Sequence, residues 1–284
     1  MSLRLDTTPI DDDANSSKLT VLIPCKDEAH RIEDCIRSAM DIADEVLVAD
    51  SGSTDETLDI VRRVGGCRII NREFVNYADF KNWAMGHAAN PWVMILDADE
   101  RLTPELGAEM REAIKSDNHD GYWIRARYFF LGHEIRHGGW QTQKNMRLFR
   151  RDRCQYGVSR VHEFVEIDES KTAELSNPLI HYSIDSLDDY FSKYAKYTRL
   201  GAMDMWDKGK RASFFNMLVS PFLRFGWLYI VRRGFLDGAA GLQICMLQAF
   251  FVTFAKRARL WEMENLRGVA AGQEEAIVDR RKAA

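Results

Sequence analysis

Short apolar runs alternate with helical patterns along the first part of the chain. Residues 19–23, 46–48, 67–70 and 92–96 are mostly apolar and rich in branched side chains, which is typical of buried strands. Apolar residues at helical spacing predict helices over 28–40, 53–64, 77–88 and 103–114. Strands and helices that alternate in this way predict an α/β fold, with a parallel sheet covered on both faces.

Two of these helices carry recognisable start signals. Ser53 and Glu56 have the spacing of a capping box, and Thr103 followed by Pro104 predicts a cap and a first helical residue. Gly65 and Gly66 end the second helix. The sequence therefore places the start of one helix directly after the second strand, and another shortly after the fourth.

The pattern changes after Gly121. Alternating segments 122–128, 145–150, 163–167 and 179–182 predict further short strands of a mixed extension, and Ser186 opens a long helix. We therefore predict a disordered tail over 1–18, an α/β domain over 19–185, a helical appendage over 186–265 and a charged tail over 266–284.

Polar segments follow three of the predicted strands, at 24–28, 50–55 and 97–99. The carboxyl ends of parallel strands meet at one edge of a sheet, where ligands bind, so we expect these segments to converge. Asp97 and Asp99 supply the oxygen ligands that Mg²⁺ or Mn²⁺ prefers. The alternative is that Asp99 and Glu100 only cap the following helix.

The segment after the second strand offers a different chemistry. The carboxylate of Asp50 can accept from a nucleobase N–H or from ribose hydroxyls, and the following helix start favours negative charge. A simple turn with a capping box is the alternative. No GxGxxG or P-loop sequence follows the first strand, which argues against dehydrogenases and P-loop enzymes.

Charge is distributed unevenly along the chain. The formal net charge is -4, which disfavours nucleic-acid binding by the whole protein, yet residues 205–260 contain nine Lys/Arg against two Asp/Glu. Five cysteines without paired spacing argue against a disulfide framework and favour a reducing, cytoplasmic compartment. The first eighteen residues have no apolar run typical of a signal peptide.

The polar segments together resemble family 2 glycosyltransferases with the GT-A fold, a Rossmann-like mixed sheet. The resemblance covers about 19–182 and is carried by the motifs PCKDE (24–28), VADSGSTD (48–55) and LDADE (96–100). KNWA (81–84), MRLFR (146–150), VHE (161–163) and RGFLDG (233–238) are similar to the bacterial lipopolysaccharide-core β-1,4-glucosyltransferase subgroup.

This resemblance implies a UDP-sugar donor and inversion at the anomeric carbon. It places Glu28 and Asp50 near the nucleoside, and Pro24 and Ser53 are further candidates for binding the UDP-sugar. It places Asp97 and Asp99 at the metal and diphosphate. Many members have two adjacent acids where this chain has Asp50 and Ser51, so nucleoside contacts rest on Asp50.

Cations and a histidine are further candidates for this site. Lys81 and Arg72 are candidates for contacts with base or phosphates, although each could be a solvated cation. His181 is a candidate third metal ligand or phosphate contact, with a hydrogen-bonded core histidine as the alternative.

An inverting transfer needs a carboxylate that takes the proton from the acceptor hydroxyl. Glu163 is our first choice because it follows the α/β region in chain order and matches the subgroup's His-Glu pair. Asp152 is the second choice, in an arginine-rich stretch where an ion pair is the plain alternative.

The basic segment of the appendage is also rich in aromatic residues. Eleven of the 31 aromatic residues fall within 205–260. Amphipathic helices at an anionic membrane surface account for both properties. A single span over the uncharged residues 238–255, or a helical cover or dimer surface, are the alternatives.

We therefore expect a metal-dependent enzyme that moves a hexose, glucose first among them, from a UDP-sugar to a lipopolysaccharide-core or other lipid-linked saccharide. The protein is expected in the cytoplasm, peripheral at the inner face of the cytoplasmic membrane, as a monomer or homo-oligomer. A nucleotidyltransferase with the same paired carboxylates is a second possibility, and a non-catalytic glycan- or membrane-binding scaffold is a third.

Overall fold

The computed structural model describes residues 16–116, 118–157 and 164–265. The predicted base Glu163 and most of both predicted tails lie outside these residues. The described chain forms two compact units, one from residues up to 128 with 142–183, and one from 129–141 with residues 184 onward. The second unit thus includes residues 129–141, which the predicted boundaries place in the α/β domain.

The first unit is built on strands and four helices. The strands in chain order are β1 Leu19–Cys25, β2 Glu45–Asp50, β3 Cys67–Asn71, β4 Trp92–Ile95, β5 Glu100–Arg101, β6 Gly121–Phe130, β7 His133–Ile135, β8 Lys144–Arg150, β9 Gln155–Gly157, β10 Phe164–Glu166, β11 Thr172–Glu174 and β12 Leu179–Ile184. The helices are α1 Ile32–Met40, α2 Thr57–Val64, α3 Tyr77–Gly86 and α4 Pro104–Ala113. β7 and the end of β6 belong to the second unit.

The main sheet has the strand order β3-β2-β1-β4-β8-β6-β12-β5. β1, β2, β3 and β4 are parallel, whereas β8 runs antiparallel to both β4 and β6. The helices between the parallel strands are the crossover connections that parallel pairing requires. The predicted α/β fold with a mixed sheet is confirmed, and it is the sheet that the GT-A resemblance implies.

Side chains of β1 point alternately into two apolar cores. Leu19, Val21 and Ile23 pack in one core, whereas Leu22 packs with Leu47 in the other. Successive strand residues face opposite sides of a sheet, so one apolar run stabilises both layers. Each such side chain contributes about 1.5–3 kcal/mol when fully buried. The carboxyl ends of these strands therefore rest on a rigid base.

One predicted helix start is confirmed and the other is wrong. Thr103 caps α4, because its hydroxyl accepts from the Leu106 N–H at 3.2 Å, and Pro104 is the first helical residue. Ser53 does not cap α2, which begins at Thr57. Its hydroxyl accepts from the Asp27 N–H at 2.9 Å instead. Ser53 therefore joins two loops and does not cap the helix.

The second unit consists largely of helices. They are α5 Leu187–Asp207, α6 Phe214–Phe225, which continues as a π-helix over Gly226–Val231, and α7 Gly238–Met246, which continues as a π-helix over Leu247–Thr253. Tyr190, Phe130, Ile244 and Leu228 are among the residues of its own buried core. Two helices, Phe214–Val231 and Gly234–Asn265, are long and apolar enough to cross a membrane by length and composition alone. The predicted helical C-terminal region is thus present.

Candidate active site

The loops after β1 and β2 are joined by hydrogen bonds. The carboxylate of Asp27 accepts from the Thr54 N–H at 2.7 Å, and the Thr57 hydroxyl accepts from the Glu28 N–H at 2.8 Å. Asp27 has a φ of +54°, a left-handed conformation that few residues other than glycine adopt. The two loops therefore form one wall at the carboxyl edge of the sheet.

Asp50, at the end of β2, holds the loop that follows it in place. Its side chain is buried, and its oxygens accept from the Gly52 N–H at 2.9 Å and from the Ser53 N–H at 3.1 Å. The register pairs Pro24 with Ala49, one position before the pairing of Cys25 with Asp50. The predicted donor-binding residues Pro24, Asp50 and Ser53 are therefore brought together, and their contact with a UDP-sugar stays a prediction.

Asp97 follows β4 and faces two cations. Its Oδ2 accepts from Arg147 Nη2 at 2.9 Å, and its Oδ1 lies 3.8 Å from Lys81 Nζ. Burial raises the pKa of Asp97, but the charges of Arg147 and Lys81 outweigh it and hold the pKa well below its usual range. Asp97 is therefore ionised at neutral pH, and the structure brings the predicted Lys81 to it.

Glu100 is the buried carboxylate of the cluster. Its side chain is 1% exposed, and its Oε1 accepts from Arg147 Nη2 at 2.5 Å. Its other oxygen accepts from the Asp97 N–H at 3.0 Å. Burial raises the pKa of Glu100 to about 7, against the opposing charge of Arg147. Glu100 is thus not the simple helix cap that the sequence left open; it holds Arg147 in place.

His181 reaches Asp99 through a short strand pairing. β12 pairs with the two residues of β5 and sets His181 opposite Glu100. The ring atom Nε2 lies 3.2 Å from Asp99 Oδ2, and Nδ1 lies 3.6 Å from Glu100 Oε1. Arg31 Nη1 lies 3.6 Å from the same oxygen of Asp99. The structure therefore joins the predicted residues Asp99 and His181, and Arg31 links them to the first loop.

Opposite charges balance in this cluster. The carboxylates of Asp97, Asp99 and Glu100 face the cations Lys81, Arg147 and Arg31. Three negative groups meet three positive groups, so the cluster has little net charge when all are ionised. A divalent cation added here would make the site positive, which suits a diphosphate.

The side chains of Asp99 and His181 could hold a metal ion whose other ligands come from the substrate and from water. No group of three or more His, Cys, Asp or Glu side chains able to hold a metal occurs among the described residues. Asp99 and His181 nevertheless offer one oxygen and one nitrogen at close range. Mg²⁺ and Mn²⁺ sites often combine one or two protein ligands with phosphate oxygens and water. Asp97, with both oxygens facing cations, fits the role of metal ligand less well.

Two other predicted residues lie elsewhere. The register pairs Arg150 with Trp92 at the start of β4, and Trp92 lies about 17 Å of extended chain away from Asp97. Asp152 follows Arg150, so it lies at the opposite end of these strands from Asp97. Asp152 is exposed and pairs with Arg153 at 3.4 Å, so its predicted role as alternative base does not fit this position. Arg72 forms an ion pair with Asp79 at 3.0 Å. Among the described residues, no contact joins Arg72 to Asp97.

The sequence prediction missed Arg147, Glu100 and Arg31 as members of the site. Arg147 belongs to the quoted MRLFR motif and lies between the buried residues Met146 and Leu148 in β8. A charged residue within a buried strand segment needs a partner of opposite charge. This signal could have pointed to an acidic partner, although not to which one.

Removing the cation of the cluster should destabilise the protein. We expect Arg147→Met to lower the free energy of unfolding by roughly 3–5 kcal/mol, because Glu100 and Asp97 lose a buried counter-ion. Urea unfolding followed by circular dichroism measures this change. Glu100→Gln added to Arg147→Met should recover part of the loss.

A surface arginine provides the control. Arg125 pairs with Glu174 at 2.6 Å, but its side chain is 55% exposed. Arg125→Met should cost at most about 1 kcal/mol. Equal losses for the two single variants would contradict a special role for Arg147.

Comparisons with known proteins place the chain among enzymes. The model of the family described as glycosyl transferase family 2 matches residues 20–164. An uncharacterized glycosyltransferase of Rickettsia typhi is 28% identical over 257 residues, 87% of this chain and 87% of that protein. The lipopolysaccharide core biosynthesis glycosyltransferase LpsC of Rhizobium meliloti is 28% identical over 255 residues, 88% of this chain and 94% of that protein.

Solved structures show weaker likeness. Glucosyl-3-phosphoglycerate synthase from Mycobacterium tuberculosis, in complex with Mn²⁺, UDP and phosphoglyceric acid, has a TM-score of 0.45 and 16% identity over 69% of this chain and 80% of that one. S. aureus TarS 1–349 has a TM-score of 0.42 and 15% identity over 88% of this chain and 92% of that one. Both TM-scores lie below 0.5, so neither likeness carries the assignment.

Proposed function

Because the chain belongs to glycosyltransferase family 2, with its model matching half of the residues, we propose that it transfers a hexose from a UDP-sugar to a lipid-linked saccharide with inversion. Glucose is the first sugar to test, following the subgroup that the motifs resemble. That the protein is a glycosyltransferase follows from the family.

The contact between Asp99 and His181 carries this proposal. These two side chains meet beside the cations Arg31, Lys81 and Arg147, at the edge where the joined loops lie. A diphosphate binds best to cationic partners, and the joined loops offer polar backbone groups to a nucleoside. Both features occur at the carboxyl ends of β1, β2 and β4, where ligands of open α/β sheets bind.

A divalent metal held by Asp99 and His181 would offset the negative charge that gathers on a departing diphosphate. Lys81 and Arg147 would keep Asp97 ionised and in place. Glu163, outside the described residues, would accept the proton of the acceptor hydroxyl.

The acceptor part of the proposal follows from a relative. LpsC carries the name of a lipopolysaccharide core biosynthesis enzyme and aligns over most of both chains. We extend that class of acceptor, a lipid-linked core saccharide, to this protein. Such an enzyme would work at the cytoplasmic face of the inner membrane.

A screen of nucleotide sugars tests the function. UDP-glucose, UDP-galactose, UDP-N-acetylglucosamine, ADP-heptose and a nucleoside triphosphate are each incubated with enzyme, truncated core saccharide, and Mn²⁺, Mg²⁺ or EDTA. We expect UDP release from UDP-glucose with metal, a stop with EDTA, and a β-linked product by NMR.

Other outcomes of the screen are equally informative. Pyrophosphate release from the nucleoside triphosphate would indicate a nucleotidyltransferase. Release from ADP-heptose alone would overturn the UDP-sugar assignment. An α-linked product would overturn inversion, and no turnover with any donor would overturn the proposal as a whole.

A further inference from the structure

Exposed apolar side chains occur along the whole length of α6 and its π-helical continuation, and we call this surface the apolar stripe. Exposure reaches 82% at Phe214 near one end and 65% at Ile230 near the other. The other exposed apolar residues of the stripe are Phe215, Leu218, Phe222, Leu223, Trp227 and Val231. Soluble proteins seldom expose so continuous an apolar surface without a partner for it.

The turn after this stripe is tied by hydrogen bonds to the loop at 137–139 of the same unit. The Gly138 N–H donates to the Arg232 carbonyl at 2.9 Å. The N–H of His137 donates to the carboxylate of Asp237 at 2.8 Å, and its ring Nδ1 lies 2.7 Å from the other oxygen. Asp237 is almost fully buried by these contacts. We call the helices Phe214–Val231 and Gly234–Asn265 the helical pair. The end at which they are connected therefore cannot cross a bilayer unless the loop at 137–139 crosses with it.

The other end of the helical pair is tied to α5. The Ala212 N–H donates to Glu264 Oε1 at 2.8 Å, and Arg259 Nε donates to the Thr198 hydroxyl at 3.1 Å. The rings of Phe191 and Phe251 meet at 5.1 Å. α5 and the helix that follows Gly238 thus lie together.

The charges of α5 oppose a crossing of the membrane. α5 is about 31 Å long, close to the thickness of the hydrocarbon core. It carries charged side chains from Asp188 through Lys193 and Arg199 to Asp207. Charges along its whole length would be costly in lipid. A helical pair attached to α5 therefore suits a position on a membrane better than one across it.

Basic residues accompany the apolar stripe. Arg224, Arg232 and Arg233 are exposed, and the guanidinium of Arg232 lies 5.4 Å from the Trp227 ring centre. Residues 205–260 sum to +7, from nine Lys/Arg and two Asp/Glu. A second copy of the chain would bring the same positive charge to the contact, whereas anionic headgroups are complementary to it.

We propose that residues 214–231 lie in the plane of an anionic lipid bilayer, with the apolar stripe inserted and the three arginines at the headgroups. The helices Phe214–Val231 and Gly234–Asn265 do not span the membrane. This inference goes beyond the proposed transfer, and none of its tests uses sugar transfer as a readout. It makes the protein monotopic.

Vesicle flotation tests the binding. The full-length protein is mixed with vesicles of phosphatidylcholine alone, or of phosphatidylcholine and phosphatidylglycerol in equal parts. We expect binding to the anionic vesicles, reduced at least about tenfold by Phe214→Ser with Ile230→Ser, since two exposed apolar side chains no longer insert. Arg224→Gln and Arg233→Gln should each reduce it about fivefold on anionic vesicles only.

A matched double variant controls for general loss of apolar surface. Val75→Ser with Leu187→Ser removes two exposed apolar side chains that lie outside the stripe. It should bind vesicles as the wild type does, and circular dichroism should show both double variants folded. Equal binding by both double variants, or no binding by the wild type, would overturn the proposal.

Spin labels separate lying on the membrane from spanning it. Phe215→Cys, Phe222→Cys and Ile230→Cys are each made in a background with Cys67→Ser and Cys154→Ser. Each variant is spin-labelled, and the depth of its label in the bilayer is measured. We expect one shallow depth of about 5–10 Å for all three. A middle label much deeper than the outer two would indicate a span and overturn the proposal.

The remaining alternative is a partner of the same chain. Light scattering without lipid should find no dimer that Phe214→Ser with Ile230→Ser dissociates. A dimer lost in that variant would assign the stripe to self-association instead.

Discussion

Replacing Asp99 by asparagine is expected to lower the rate of UDP release by at least about 100-fold at low metal concentration. The change keeps the size of the side chain but removes the negative oxygen that lies 3.2 Å from His181 Nε2. Loss of one charged ligand would weaken the site of a hard cation strongly, because Asp99 and His181 are the two protein ligands of the proposed metal site. The midpoint of a Mn²⁺ titration should move to higher concentration.

A combined variant makes this expectation sharper. If Asp99 and His181 hold one ion, the double change Asp99→Asn with His181→Asn should cost far less than the product of the two single effects. Asp59 forms an exposed pair with Arg62, and Asp59→Asn should change the rate less than about twofold. A Mn²⁺ midpoint that stays put in Asp99→Asn would contradict the ligand assignment.

Replacing Glu163 by glutamine should reduce transfer by roughly 10²–10⁴-fold while the protein still binds the UDP-sugar. Glutamine has nearly the same shape but cannot take the proton of an acceptor hydroxyl. Calorimetric titration with UDP-glucose measures the retained binding, and product formation in a single turnover measures the lost chemistry. An effect on kcat with an unchanged Kd for the donor identifies a group that acts in the reaction.

Two carboxylates from the same part of the sequence, Glu166 and Asp152, provide the controls for Glu163. Glu166 lies in β10 and is exposed, and Asp152 lies at the edge of the sheet opposite Asp97. Glu166→Gln and Asp152→Asn should both leave the rate within about twofold, since surface substitutions away from a site have small effects. Unchanged transfer in Glu163→Gln would remove Glu163 from the role of base, and a large loss in Asp152→Asn would restore the alternative.

The parallel half of the sheet could be predicted from the sequence, for a local reason. β1, β2 and β4 are buried on both faces, so their sequences are continuous apolar runs with clear ends. β5 was not predicted, because two residues are too few to show any periodicity. Yet β5 is the strand whose pairing brings His181 to the cluster.

The candidate site was predictable only where its residues follow a strand end. Asp97 and Asp99 can be recognised by their spacing after a strand. The contact of Arg31 with Asp99 joins them to the start of α1, just after the first loop. Arg147 was missed because its partners depend on the antiparallel pairing of β8 with β4, across more than fifty residues of chain. A single sequence has no local signal for such a pairing.

The hydrogen bonds between the loops after β1 and β2 have a consequence for how ligands would bind here. The backbone of Asp27 has a positive φ, and its carboxylate accepts hydrogen bonds from the N–H groups of Thr54 and Asp55. These bonds hold the second loop in place. A ligand that enters at this edge meets a surface already set, and little of its affinity is lost in ordering the loops. Asp27→Ala should therefore weaken such a ligand through entropy, with the loops more mobile in the free protein and the contacts of the bound state unchanged.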